Sequence, residues 1–323
     1  MKPIFHHRLI NSPFEDPCLY IRILREKRAL LFDLGDINRL DPSGLQKITD
    51  VFVTHTHIDH FIGFDVLLRA LLRRDIPLRI FGPVNIIKGI EGKLAGYTWN
   101  LIKEYPLRIE AFETDGNLIR HSGFYAENCF NRIDHEDMPF DGAVLKESYF
   151  EVRSVSLIHQ IPCLGFSLKE NFHINIDKAA LNRMGLPVGP WLSEFKKAIR
   201  ESHDESRIFK IMDKTYTMKE LRGIANITEG QKISYIADSS MDKDNIEKII
   251  ALIRDSDTLY CEAYFLEEDK ERALDRHHLT AKTAGMIAKE ASVKNLVVMH
   301  FSPKYRGCPD APEKEAMMEY NKR

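Results

Sequence analysis

The chain has 323 residues, with 46 Lys and Arg against 48 Asp and Glu, a formal net charge of -2, and 44% hydrophobic and 29% charged residues. That is an ordinary globular composition, so collagen, coiled coil and intrinsic disorder are excluded, as is a protein that grips nucleic acid through overall basicity. The length allows either two domains or one large α/β domain with an insertion. What stands out is 13 His on a near-neutral chain. Cys18, Cys129, Cys163, Cys261 and Cys308 are odd in number and never form a C-x-x-C pair. A disulfide framework or zinc finger is therefore not expected, and a reducing cytoplasmic compartment fits best. The N-terminus lacks an apolar core behind a basic start, and no stretch approaches about eighteen uninterrupted apolar residues, so neither secretion nor a membrane span is expected.

In chain order, the apolar pattern predicts short strands over Arg28–Phe32, Asp50–Thr54, Leu78–Phe81, Leu107–Phe112, Phe150–Ile158, Lys232–Ala237, Thr258–Ala263 and Leu296–Met299. Helical stripes are predicted over Phe64–Leu72, Ile246–Ile253 and Ala281–Ala291. Residues 84–148 read as scaffold, with Tyr97, Trp99 and Phe112 as core aromatics. Residues 171–230 read as an inserted arm, because Gly185, Pro187, Gly189 and Pro190 cluster there beside a charged stretch, Lys196–Lys210, that has few large apolar residues.

The strongest local signal is Thr54-His55-Thr56-His57-Ile58-Asp59-His60, between an apolar strand and the Phe64–Leu72 helix. In a turn leaving a strand, His55 and His57 fall on one side while Asp59 and His60 begin a helix, so the four can surround two cations. Imidazole and carboxylate without thiolate suit Zn2+, with Mn2+ or Fe2+ as alternatives. Four ligands do not complete two sites, so further donors must come from other strand ends. His159, Asp238 and His300 each end a predicted strand. His121, His135, His173 and His203 stand in polar surroundings without such context and are read as structural or surface residues, and His6 and His7 are an ambiguous terminal pair.

Thr54–His60 followed by isolated His159, Asp238 and His300 resembles the metallo-β-lactamase superfamily across essentially the whole chain. The resemblance implies an αββα sandwich, a single large domain carrying the inserted arm, with a dinuclear metal site at one edge. It implies that His55, His57 and His159 bind one metal, that Asp59, His60 and His300 bind the other, and that Asp238 bridges them. Two further segments, Cys261-Glu262-Ala263-Tyr264 and His278-Leu279-Thr280, resemble the paired Glu and His-x-Thr motifs of the ribonuclease Z branch. His300-Phe301-Ser302-Pro303-Lys304-Tyr305 is similar to that branch's last ligand motif, and Gly185–Pro190 is similar to its flexible tRNA-clamping arm.

The chemistry expected of such a site is in-line attack on a phosphodiester by a hydroxide shared between two metals, with Asp59 accepting a proton. An alkoxide leaving group needs a proton donor, which His278 supplies and Glu262 orients, with neighbouring His277 as the rival. The first functional reading is a zinc-dependent endoribonuclease that cuts the 3′ trailer from precursor tRNA. Relatives of that branch are commonly homodimers. The chain departs from the branch's pattern at Ile58, where Gly is usual, at Ala237-Asp238-Ser239, and at Cys261 and Tyr264; the early Gly-rich loop and Pro-x-Lys-x-Arg-Asn element have no counterpart in Met1–Asp36. These departures motivate a second reading, a phosphodiesterase for a small or modified nucleotide. A third is a metal-binding regulatory protein without turnover, against which the Glu262 and His278 pair argues. Arg69, Arg73, Arg74, Lys196, Lys197 and Arg200 are the candidate basic contacts.

Overall fold

The computed structural model describes residues 4–24, 26–201 and 204–322, so His203 lies outside the described residues. Two compact units divide it: Leu145–Glu151 with Lys169–Gln231 form one, and the remaining described residues form the other.

In the larger unit, one sheet runs in the order Phe5–Leu9, Leu19–Ile23, Arg28–Phe32, Ile48–Phe52, Leu78–Pro83, Arg108–Asp115, Leu118–Tyr125 and Arg132–Asp134, with Met138–Pro139 also paired to Leu118–Tyr125. The strands from Arg28–Phe32 to Arg108–Asp115 are mutually parallel. Side chains alternate across each strand, and the sequence fills both faces with apolar residues. Ala29, Leu31, Val51, Ile80 and Ala111 share a core with the helices Phe64–Leu71 and Ile86–Ala95. On the opposite face, Phe32, Phe52, Phe81 and Phe112 stack in a row with ring centroids 4.9, 5.0 and 4.8 Å apart.

A second sheet has the order Ala143–Lys146, Phe150–His159, Ile161–Glu170, Lys232–Ile236, Thr258–Glu262 and Leu296–Met299. The last three strands are parallel. Phe166 and Tyr235 pack against Phe32 at 5.8 and 5.9 Å, so the two sheets meet through an aromatic layer. The outer face of this sheet, with Ile236, Leu259, Cys261 and Val298, shares a core with residues of the helices Lys243–Ile253, Ala281–Glu290 and Ala311–Tyr320. The layers are therefore helix, sheet, sheet, helix. Among the described residues, no helix is long and apolar enough to cross a membrane.

The smaller unit has its own core around Ile174, Leu181, Phe195, Phe209 and Leu221. Its helix Trp191–Glu201 buries Phe195, Ala198 and Ile199, so the first part of the charged stretch, up to Glu201, lies on an amphipathic helix. Buried Glu170 sits 3.0 Å from His173 Nδ1 and 3.3 Å from Arg200 Nη2, a paired acid that holds this core's polar edge.

Several details differ from the expectations above. Tyr97 is 48% exposed, while Trp99 and Phe112 are only partly buried. Tyr97 lies just past the helix Ile86–Ala95 and packs edge-on to Trp99, outside the sheet interior. Arg74 is not an available basic contact: it is buried and donates to the carbonyl oxygens of Gln46, Ile48 and Ile76. Arg200 is held by Glu170 and lies over the Tyr149 ring. Arg69 and Arg73 remain exposed, Arg73 over Tyr105.

Candidate metal centre

The motif Thr54–His60 leaves the strand Ile48–Phe52 and enters the short helix Ile58–Phe61. The turn is held from below by the segment after Arg28–Phe32. Leu34 N donates to His60 O at 2.9 Å and Gly63 N to Leu34 O at 2.9 Å. This approach needs glycine, because a Cβ on Gly63 would lie 2.2 Å from Gly35 O and one on Gly35 would lie 2.8 Å from Asp59 O.

The structure brings together all seven residues expected to bind metal. Asp238 lies among the imidazoles, its carboxylate 3.7 Å from His55 Nε2, 3.5 Å from His60 Nε2, 3.3 Å from His159 Nε2 and 2.7 Å from His300 Nδ1. Potential ligand atoms of His55, His57, His159 and Asp238 cluster in one group, and those of Asp59, His60 and His300 in another. The remaining bonds aim them. His159 Nδ1 lies 2.7 Å from His277 O, leaving Nε2 for the site. His277 presents that carbonyl because it ends the helix Lys270–Arg276 in the left-handed conformation, with φ 57°.

The donor set also fits cations on energetic grounds. His55 Nε2, His60 Nε2, His300 Nδ1 and Asp238 Oδ1 are buried without a hydrogen-bond partner. His300 Nδ1 and Asp238 Oδ1 lie 2.7 Å apart within this group. Such orphaned groups are costly unless something coordinates them. Divalent metal ions match this mixture of nitrogen and carboxylate ligands.

The electrostatics agree. Burial and the facing His60 pull His55 down to about 2, keeping it in the neutral coordinating form. Burial and His159 also lower His57. Burial opposes the charged form of Asp238, but His300 and His60 outweigh it and hold the carboxyl well below its usual range; His300 and His60 similarly depress Asp59 against burial. Burial opposes the charged forms of His60 and His300 too, yet the carboxylates raise both, Asp33 and Asp238 at His60 and Asp238 at His300.

The structure also brings His278 and Glu262 together. His278 Nδ1 lies 2.8 Å from Glu262 Oε2 and 3.9 Å from Asp238 Oδ2. Glu262 is fully buried, and its other oxygen accepts from Ser239 N at 2.8 Å and Leu279 N at 3.1 Å. His277, the rival, uses its carbonyl to orient His159 instead.

Asp33 and Asn245 have no sequence signal of their own, and Tyr264 shows there only as a departure from the motif around Glu262. Asp33, fully buried with φ 58°, approaches His60 Nδ1 at 2.8 Å and accepts from Thr54 N at 2.7 Å and Tyr235 Oη at 3.0 Å. Asn245 donates to Ile158 O at 3.0 Å and Ser239 Oγ at 3.1 Å, tying the Asp238 loop to the strand that ends in His159. Tyr264 stacks on His278 with centroids 4.1 Å apart and planes at 10°. For Asp33→Asn, an amide faces Thr54 and Tyr235 donors with one acceptor fewer, so His60 loses its fixed orientation. Divalent-metal affinity should fall by about 10–100-fold; competitive titration with a chelator measures it, and unchanged affinity would remove Asp33 from the centre.

Comparison with known proteins agrees with this architecture. The chain is 27% identical over 306 residues to ribonuclease Z of Deinococcus radiodurans, covering 92% of this chain and 90% of the relative. It is 28% identical over 298 residues to ribonuclease Z of Bacillus subtilis, covering 89% and 82%. Among solved structures, the metallo-β-lactamase fold protein YhfI of Bacillus subtilis matches with a TM-score of 0.58 at 16% identity, covering 99% and 94% of the two chains. The short form of human tRNase Z matches with a TM-score of 0.55 at 19% identity, covering 92% and 93%. No protein-family model matches the chain. The chain is a metallo-β-lactamase-fold protein that resembles, over most of its length, the ribonuclease Z branch of that superfamily.

Proposed function

We propose that this chain is a zinc-dependent phosphodiester hydrolase of the ribonuclease Z type, cutting the 3′ trailer from precursor tRNA. The observation that carries the reading is the His278–Glu262 pair beside Asp238, since a binding protein has no use for a leaving-group acid. Two bound divalent cations, with His55, His57 and His159 at one, Asp59, His60 and His300 at the other and Asp238 between them, would activate water and neutralise phosphoryl charge.

The residues then divide the proton work. Asp59, whose side chain is 37% exposed against 4% for Asp238, is open to substrate and accepts the proton lost by the attacking water. As the new O–P bond forms and the bond to the ribose 3′ oxygen breaks, His278 donates a proton to that oxygen. Nδ1 is committed to Glu262, so Nε2 is the donating nitrogen. Burial opposes the charged form of His278, but Glu262 and Asp238 outweigh it and raise its pKa, which keeps the acid loaded. The products are a tRNA with a 3′-hydroxyl and a trailer with a 5′-phosphate. The unit Lys169–Gln231, with Gly185 to Pro190 and exposed Lys197, is read as the tRNA-clamping arm.

A second reading, hydrolysis of a smaller phosphodiester, is favoured by the internal engagement of Arg74 and Arg200, which leaves fewer basic contacts for a long RNA. Incubating the zinc-loaded protein with precursor tRNA and, in parallel, bis-p-nitrophenyl phosphate separates the two. Cleavage at the trailer junction is expected. Turnover of the small ester alone would replace the first reading with the second, and turnover of neither would remove both.

A further inference from the structure

The aromatic row on the first sheet does not stop at Phe112. It continues through His121, with centroids 4.4 Å apart, and then His135, a further 4.3 Å on. The strand register causes this: Phe112 lies opposite His121, and His135 N donates to His121 O across the next pairing. Glu110, two residues before Phe112, shares its face. Its Oε2 lies 2.7 Å from His121 Nε2, and one potential ligand atom from each of Glu110, His121 and His135 lies within 4.8 Å of the other two.

The surroundings hold the group in place. Gly123 stands opposite Glu110, and a Cβ there would lie 2.4 Å from Tyr125 Oη. Without one, the Tyr125 ring crosses the strand and places its hydroxyl 3.1 Å from His135 Nε2. Burial and the Glu110 carboxylate raise the Tyr125 phenol.

We propose that Glu110, His121 and His135 bind a divalent zinc-type ion at a site separate from the catalytic centre. Two imidazoles and one carboxylate form a recurrent three-ligand zinc set, with water filling the fourth position. Hard cations such as Ca2+ prefer more oxygens, and Cu(I) prefers sulfur. A hydrogen bond accounts for Glu110 with His121, and His135 brings a second imidazole nitrogen within 4.8 Å of both. The strand Leu118–Tyr125 is three strand spacings, about 14 Å, from Ile48–Phe52, so this ion is not one of the catalytic pair. It clips the exposed strand Arg132–Asp134 to the rest of the sheet. Thirteen residues of chain separate His121 from His135, which is why spacing reveals no motif.

The test is zinc content by elemental analysis after equilibrium dialysis of the full chain, for wild type, His135→Ala and Glu110→Gln. Wild type should hold one equivalent more than either variant. Turnover of bis-p-nitrophenyl phosphate should be unchanged in both variants, reporting an intact fold. Equal zinc content in all three would overturn the proposal. The difference in zinc remains readable even if the catalytic reading fails, because none of these residues belongs to that centre.

Discussion

Replacing Asp238 with alanine is expected to abolish turnover by about three to four orders of magnitude and to reduce bound metal at the catalytic centre from two equivalents to one or none. The carboxylate stands within 4 Å of five imidazoles, those of His55, His60, His159, His278 and His300, which otherwise have no common anionic partner. Without it, like-charged or neutral rings face each other across a buried cavity, and a second cation there would lack charge compensation. The loss in rate follows from several kcal/mol of phosphoryl-charge stabilisation that two cations provide together. Elemental analysis and steady-state kinetics on the same preparation check it. Two equivalents held at the centre with near-native turnover would show that Asp238 does not bridge. Asp238→Asn sharpens the result: the shape is kept, one oxygen and the negative charge are lost, and metal affinity should fall between the two extremes.

How far the sequence announces this centre depends on how local each contribution is. His55, His57, Asp59 and His60 are legible because one turn carries them. His159 and His300 are legible because each lies where an apolar strand runs out, and Asp238 follows such a strand within two residues. Asp33 also follows an apolar strand, yet nothing in Phe32-Asp33-Leu34-Gly35 distinguishes it; its role exists only once Thr54, His60 and Tyr235 converge on it. Asn245 reads as an ordinary helix residue until its helix is laid beside Ile158. The layered core is legible from strand and helix periods, with ends off by one to three residues where polar residues continue the pairing, as in Arg108–Asp115. The strands Phe5–Leu9, Leu19–Ile23, Leu118–Tyr125, Ala143–Lys146 and Ile161–Glu170 are not; in the last, Pro162 and Gly165 mimic a turn. Residues 84–148 hide a donor cluster for the same reason Asp33 is hidden: strand register, not spacing, assembles Glu110, His121 and His135.

His278→Ala should separate the chemistry of bond breaking from metal binding. Its ring is held by Glu262 at one edge and by the Tyr264 face; it packs against the His159 ring at 4.9 Å, but the bonds that orient His159 and His60 come from His277 O and Asp33. Metal content should therefore stay at the wild-type level. A positioned general acid contributes about 10²–10⁴-fold, and that whole factor is at stake when the leaving group is a ribose alkoxide. p-Nitrophenolate leaves without a proton, so turnover of bis-p-nitrophenyl phosphate should fall much less than trailer cleavage. Glu262→Gln should give a smaller loss of the same kind, since the amide still accepts from the ring but no longer favours the protonated imidazole. Equal losses on both substrates, with metal retained, would move the leaving-group role away from His278 and leave it as a residue that shapes the pocket.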